Sequence, residues 1–144
     1  MANIQRHAIV PYSPQQMFSL VDDVNHYSDF LPWCASSAEL SREDNVVVGC
    51  VELAKGAVHK SFTTRNTLTP YERIEMQLVE GPFRHLHGYW RFQPLNDGKA
   101  CKVMLELDYE FSNRLVSLAI GPVFNTVANS LVDAFVERAN KTYG

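Results

Sequence analysis

The C-terminal stretch SNRLVSLAIGPVFNTVANSLVDAFVERANKTY, residues 112–143, limits the fold more than any other part of the chain. Val116, Ile120, Val123, Val127, Leu131 and Phe135 recur at steps of three or four, and Phe124, Ala128 and Val132 widen the stripe. This is the pattern of one broad apolar helix face, which another layer has to cover. A straight rod of about 30 residues would reach roughly 45 Å, while a domain of this size has a radius of gyration of about 15 Å. Gly121-Pro122 is therefore expected to break the rod, because proline removes an internal hydrogen bond yet suits a first turn. The expectation is a short segment ending at Ile120, a candidate lid, and a main helix from Pro122 to about Lys141, the wall of a groove.

The rest of the chain must supply the cover. Its 144 residues, with 46% hydrophobic and 20% charged, fit one globular domain with a sizeable core. No apolar run is expected to approach the roughly 20 residues of a membrane span. The opening MANIQRHAIV lacks the apolar segment of a signal peptide, so a cytoplasmic location is expected, with peripheral contact at the inner membrane as a further option. Cys34, Cys50 and Cys101 are widely spaced and form no CxxC pair, and they read as buried thiols. A net charge of −3 disfavours a phosphate-tracking surface, and no DNA partner is expected.

In chain order, residues 3–10 alternate as a first strand, with Ile4, Arg6, Ala8 and Val10 on one side. Ser13-Pro14-Gln15-Gln16 is a capping box with proline at the first helical position, so a helix starts there and buries Met17, Phe18, Leu20 and Val21. Asp22-Asp23 and Asn25 mark a break before a second short helix through Tyr27 and Phe30, and Pro32 turns the chain toward the sheet. Six strands follow, at 35–42, 46–54, 57–68, 73–79, 86–93 and 101–111. The turns between them are Glu43-Asp44-Asn45, Lys55-Gly56, Thr69-Pro70-Tyr71-Glu72, an interruption at Gly81-Pro82-Phe83, and Asn96-Asp97-Gly98.

Period two identifies the apolar face: Leu86, Gly88, Trp90 and Phe92 in one strand, and Cys101, Val103, Leu105, Leu107, Tyr109 and Phe111 in the next. Val58, Phe62, Leu68, Ile74, Met76 and Leu78 continue it, but Lys60, Thr64 and Asn66 share the side of Phe62. Those polar groups either face a cavity or are carried outward by a bulge. Strand, two short helices, six strands and a long helix make an α+β helix-grip, a curved antiparallel sheet of about seven strands around the C-terminal helix, in one domain over residues 1–144.

Catalytic signatures are missing from this pattern. There is no GxSxG, P-loop or GxGxxG motif, and no nucleophile or acid–base pair can be nominated. His85 and His87 form an HxH pair on a polar strand face without a third ligand at local spacing, so no metal is expected. Glu106, Asp108 and Glu110 form an outward row that reads as solvated charge.

Four separated segments carry a resemblance: YSPQQMFSLVDDVNHYSDFLPWC from Tyr12, SFTTRNTL at 61–68, GPFRHLHGYWRF at 81–92 and GPVFNTVANSLVDAF at 121–135. Together they resemble the coenzyme-Q-binding START family, with its bacterial branch of ribosome association toxins. Ser28, where the family pattern has proline after the tyrosine, is the one departure. The resemblance implies a helix-grip with a tunnel between sheet and long helix, and two rival functions. One is binding of ubiquinone or another isoprenoid lipid in support of respiration, with no required cofactor; the other is binding of the large ribosomal subunit to block subunit association. The polyketide cyclase or dehydrase activity attached to the fold lacks an acid–base pair here, and no enzyme is expected. For the ligand, Phe62, Met76, Trp90, Phe92, Val127, Leu131 and Phe135 would line the tunnel, with Phe30, Leu31, Trp33 and Phe83 at its opening; the same residues would also make a solid core. For the ribosome, Arg65, Arg84 and Arg91 would share an outer face, with Arg138 and Lys141 at the helix end. The acidic balance places hydrophobic-ligand binding first.

Overall fold

In the computed structural model, which describes residues 2–144, the chain runs β1 (Ala2–Val10), α1 (Pro14–Asp22), a 3-10 segment (Val24–Asp29), β2 (Cys34–Glu43), β3 (Val46–Lys55), β4 (Val58–Thr69), β5 (Arg73–Glu80), β6 (Phe83–Leu95), β7 (Ala100–Phe111) and α2 (Arg114–Tyr143). The seven strands form one antiparallel sheet in the order β1-β7-β6-β5-β4-β3-β2. From β2 to β7 it is a meander, and β1 closes the far side by pairing with β7 from Ala2↔Tyr109 to Val10↔Cys101. The two helices lie on the inner face, giving the α+β helix-grip.

Local chemistry accounts for most of the boundaries. Ser13 accepts from the Gln16 amide at 3.2 Å while the Gln16 side chain accepts from the Ser13 amide at 2.9 Å, completing the capping box ahead of Pro14. Asp44, Tyr71, Asn96, Asp97, Gly56 and Gly98 take positive φ at the expected turns. Gly88 serves close approach instead. A Cβ there would lie 2.3 Å from the Glu106 carbonyl oxygen, so β6 and β7 can approach only with glycine at that position.

Two expectations for the strands change. β6 starts at Phe83, three residues before the expected Leu86, because a bulge between Phe83 and His85 lets the chain resume pairing opposite Phe111. Phe83 is thereby buried rather than left in a turn. Cys34 and Cys101 are buried thiols, but Cys50 is only half-buried.

The largest change concerns α2, which is a single helix of 30 residues with Pro122 inside it; no break separates a lid from a wall. Leu118 and Pro122 are both exposed, so the carbonyl that loses its partner to the proline sits on the solvent side and can bond water. In the first turns Leu115 is 79% and Leu118 69% exposed, while Val116 between them packs against the core. α2 also contains an 18-residue window apolar and charge-poor enough to cross a membrane, contrary to the expectation from composition, although one third of that window is buried here against the sheet. Asn113 caps its start by accepting from the Val116 amide at 2.9 Å.

Because Pro122 is exposed and the helix continues through it, Pro122→Ala restores a backbone donor without disturbing the core. Stability is expected to rise by about 1–3 kcal/mol, measured by urea denaturation followed by circular dichroism.

Candidate functional site

The interior divides into two apolar cores. One gathers Met17, Phe18, Leu68, Ile74, Phe92 and Val103 under α1, and the other gathers Ile4, Leu31, Phe83, Tyr109, Ile120 and Phe124 under the first half of α2. A cavity of about 100 Å³ lies between them, lined by Trp90, Leu105 and Phe135 of the first core and by Trp33, Val51, Leu86, Leu107, Phe124, Val127 and Ala128 of the second. Val24, Tyr27, Gly49, Phe62, Thr64, Asn66, Met76 and Leu131 complete its wall. Trp33 and Val127 also line a surface vestibule of about 690 Å³, whose rim carries Asp29, Lys55, Asp133, Glu137, Arg138 and Lys141.

Aromatic contacts hold the partition between the two spaces. Phe135 is 1% exposed and meets Tyr27 at 5.5 Å, Phe30 at 5.3 Å and Trp90 at 5.2 Å between ring centroids, all edge-on. The Arg138 guanidinium sits 5.0 Å over the outer face of Phe30. Tyr27 donates to the carbonyl of Val21, and its pKa is pushed far up by burial first, with Asp22 and Asp23 adding to it, so it stays a neutral hydroxyl. Among the described residues it is the only ionisable side chain in the cavity wall. Burial also raises the Cys34 thiol and pushes Cys101 up to about 11, so neither is poised as a nucleophile.

Phe62, Met76, Trp90, Val127, Leu131, Phe135 and Trp33 face the cavity, and Phe30 faces the vestibule. Leu31, Phe83 and Phe92 line neither space: Leu31 is 1% exposed, Phe83 packs on Phe111 and Phe124, and Phe92 meets Phe18 at 5.7 Å. Thr64 and Asn66 lie inside, not outside. The bulge at Thr63/Thr64 places its extra residue on β5, so β4 keeps its period and its polar side chains stay on the concave face. Lys60, nearer the strand end, is exposed. Tyr27 and Val24 join the wall without a sign in the sequence pattern, because only the tertiary fold lays the 3-10 segment over β3, where a Cβ on Gly49 would sit 3.2 Å from Val24.

The outer face of the sheet is mixed in charge. Arg65, Arg73 and Arg91 lie on it, Arg73 opposite Arg91 across β5 and β6, and Arg73 stacks on Tyr89 at 4.7 Å. Glu75 is 3.5 Å from Arg73 and 3.1 Å from His87. Glu106 accepts from Tyr89 at 2.7 Å, Asp108 accepts from Asn3, and Glu110 is 3.9 Å from Arg84. The His85 and His87 rings are 6.4 Å apart, and no group of three or more metal-ligating side chains gathers among the described residues.

The family profile described as "Polyketide cyclase / dehydrase and lipid transport" matches residues 10–136. The ribosome association toxin RatA of Pseudomonas aeruginosa is 44% identical over 99% of this chain and 98% of its own length. The protein of the same name from Escherichia coli K12 is 45% identical over 99% of this chain and 90% of its own. A mitochondrial coenzyme Q-binding protein COQ10 homolog B from Xenopus laevis is more distant, 29% identical over 94% of this chain and 57% of its own length. In structure, the Zhui aromatase/cyclase of Streptomyces sp. R1128 superposes with a TM-score of 0.84 over 97% of this chain and 94% of its own at 16% identity, a likeness of fold. These relatives reverse the order expected from composition, in which quinone binding stood ahead of ribosome association.

Phe135 joins the two cores and the partition, so Phe135→Ala is expected to destabilise the protein by about 3–5 kcal/mol. Chemical denaturation followed through tryptophan fluorescence measures it, since both tryptophans of the chain, Trp33 and Trp90, line the cavity.

Proposed function

The chain belongs to the polyketide cyclase/dehydrase and lipid transport family, in its branch of ribosome association toxins, and on that premise we propose that it binds the large ribosomal subunit in the cytoplasm and blocks subunit joining. The observation that carries this is identity of 44–45% running end to end with proteins named for ribosome association. The 16% identity of the aromatase/cyclase, by contrast, shows a likeness of fold alone.

The outer sheet face supplies the contact. Arg65 and Arg91 are exposed there, and arginine is suited to phosphate through its planar fork of donors. The neighbouring carboxylates Glu75, Glu106 and Glu110 make the face a mixed one, which favours a defined docking geometry over indiscriminate attachment to RNA. In a sucrose gradient of cell lysate, the protein is expected to travel with the large subunit at low salt and to be released as salt rises. Arg65→Glu with Arg91→Glu should lower the bound fraction on the order of tenfold while the circular dichroism spectrum is unchanged. Wild-type protein that remains at the top of the gradient overturns the proposal.

A second reading, binding of a small hydrophobic molecule, is favoured by the apolar cavity and by the distant coenzyme Q-binding relative. At about 100 Å³ the cavity accepts a small ring, whereas sites for drug-sized ligands span roughly 300–1,000 Å³. A long-tailed quinone would have to extend past Trp33 and Val127 into the vestibule. Among the described residues the cavity lining holds no carboxylate, histidine or cysteine. Delipidated protein is expected to bind decylubiquinone with quenching of tryptophan fluorescence. Leu131→Trp should abolish the binding with the fold retained, and no quenching in the wild type would sink this reading.

A further inference from the structure

We propose that Arg73 and Arg91 form a clamp for a single backbone phosphate of RNA on the outer sheet face, with Tyr89 as the strut that holds Arg73 in place. The clamp presupposes the ribosome-binding reading and identifies the contact as one to RNA rather than to a ribosomal protein. The two arginines are direct partners in the antiparallel pairing of β5 with β6. Side chains so placed stand about 5 Å apart at Cβ, and like charges there work against the sheet. No carboxylate relieves Arg91, which is exposed and has no ion pair among the described residues. Arg73 has only a loose contact with Glu75, which is 3.5 Å away and shared with His87 at 3.1 Å. An anion seated between the two guanidinium groups turns the repulsion into attraction on both sides.

Arg73 is the preorganised half. Its guanidinium lies 4.7 Å from the centre of the Tyr89 ring, and the Tyr89 hydroxyl donates to Glu106 at 2.7 Å, which fixes the ring at its far end. The Arg73 Nε is buried without a partner while the side chain as a whole is 43% exposed, so its packing serves position and leaves hydrogen-bonding capacity unused. A phosphodiester suits the pair because its two unbridged oxygens can each accept from one planar fork. Lys102 adds a third cation at this end of the face, two residues along β7 from Met104, the partner of Arg91. In the other direction stand Glu75, Glu106, Asp108 and Glu110, which repel neighbouring phosphates. The face therefore takes one phosphate at its basic end and does not track a strand, in keeping with the net charge of −3. Arg65 lies outside the clamp, since it pairs with Gln77, about 13 Å along β5 from Arg73 at strand spacing.

The test measures binding of the full chain to purified large ribosomal subunits across a salt series. Each neutralised phosphate contributes about −0.7 to −0.9 to the slope of log K against log salt concentration. Arg73→Gln and Arg91→Gln are each expected to weaken binding on the order of tenfold and to make the slope shallower by roughly that amount. The double variant should lose little more than either alone, because both arginines hold the same phosphate. The urea midpoint of each variant should stay level or rise as the like-charge contact is removed. Tyr89→Leu should weaken binding in the same way, whereas Tyr89→Phe, which keeps the ring, should retain it. Wild-type affinity and slope in both arginine variants overturn the clamp and leave ribosome binding in place. Lost affinity with an unchanged slope assigns the pair to a carboxylate of a ribosomal protein and also overturns it, as do fully additive losses in the double variant. Wild-type protein that does not bind the subunit overturns both readings.

Discussion

The packing of Phe135 against Tyr27, Phe30 and Trp90 is the contact on which the interior depends. One ring from α2 there meets the 3-10 segment, the loop after it and the centre of the sheet. Each of those elements is weak alone: the 3-10 segment has no side-chain cap, and an antiparallel sheet with a bare apolar face is not stable in water. Fixed together, they set the distance between α2 and the concave face. The side chains between helix and sheet do not fill that distance everywhere. Two cores result, with a small cavity between them.

How much of this is legible in the chain depends on how local the cause is. The Ser13–Gln16 capping box, the turns at Asp44, Tyr71 and Asp97, and the alternation along β7 each need only a few neighbouring residues, and all appear as expected. Pro122 misleads because the intrinsic penalty of proline does not register which side of the helix carries the lost bond; on the solvent side water absorbs part of it, and the rest is tolerated. Phe83 reads as a turn residue because a bulge shifts pairing by a residue without any signature in composition. For the candidate site, alternation identifies Phe62, Met76 and Trp90 on the correct face but cannot separate wall from solid packing. Phe92 shows the difference: it lies on the same face and strand as Trp90, yet α1 fills the space before it with Phe18.

The exterior and the interior give different kinds of functional information. The helix-grip fold recurs at 16% identity, so the fold says little about which molecule, if any, a given chain takes up. End-to-end identity of 44–45% with ribosome association toxins therefore counts for more than the apolar lining, and the net charge of −3 counts for less than the distribution of charge. On the outer face Arg73 and Arg91 stand side by side across two strands despite the acidic total.

The two surfaces are separate in chemistry yet joined in one strand. Thr64 and Asn66 point into the cavity while Arg65, between them, points to solvent, because side chains alternate along β4. A shift of register by one residue would exchange the faces, placing an arginine in the cavity and an amide outside. The register is pinned on one side by ten successive pairs with β3, from Val46↔Thr67 to Lys55↔Val58. On the other side the bulge lies in β5, which takes up the irregularity and leaves the alternation of β4 intact. Changes at Arg65 and at Asn66 therefore act on opposite sides of the same backbone. Within an unbroken strand, an effect on subunit association need not pass through the cavity, and an effect on ligand uptake need not pass through the outer face.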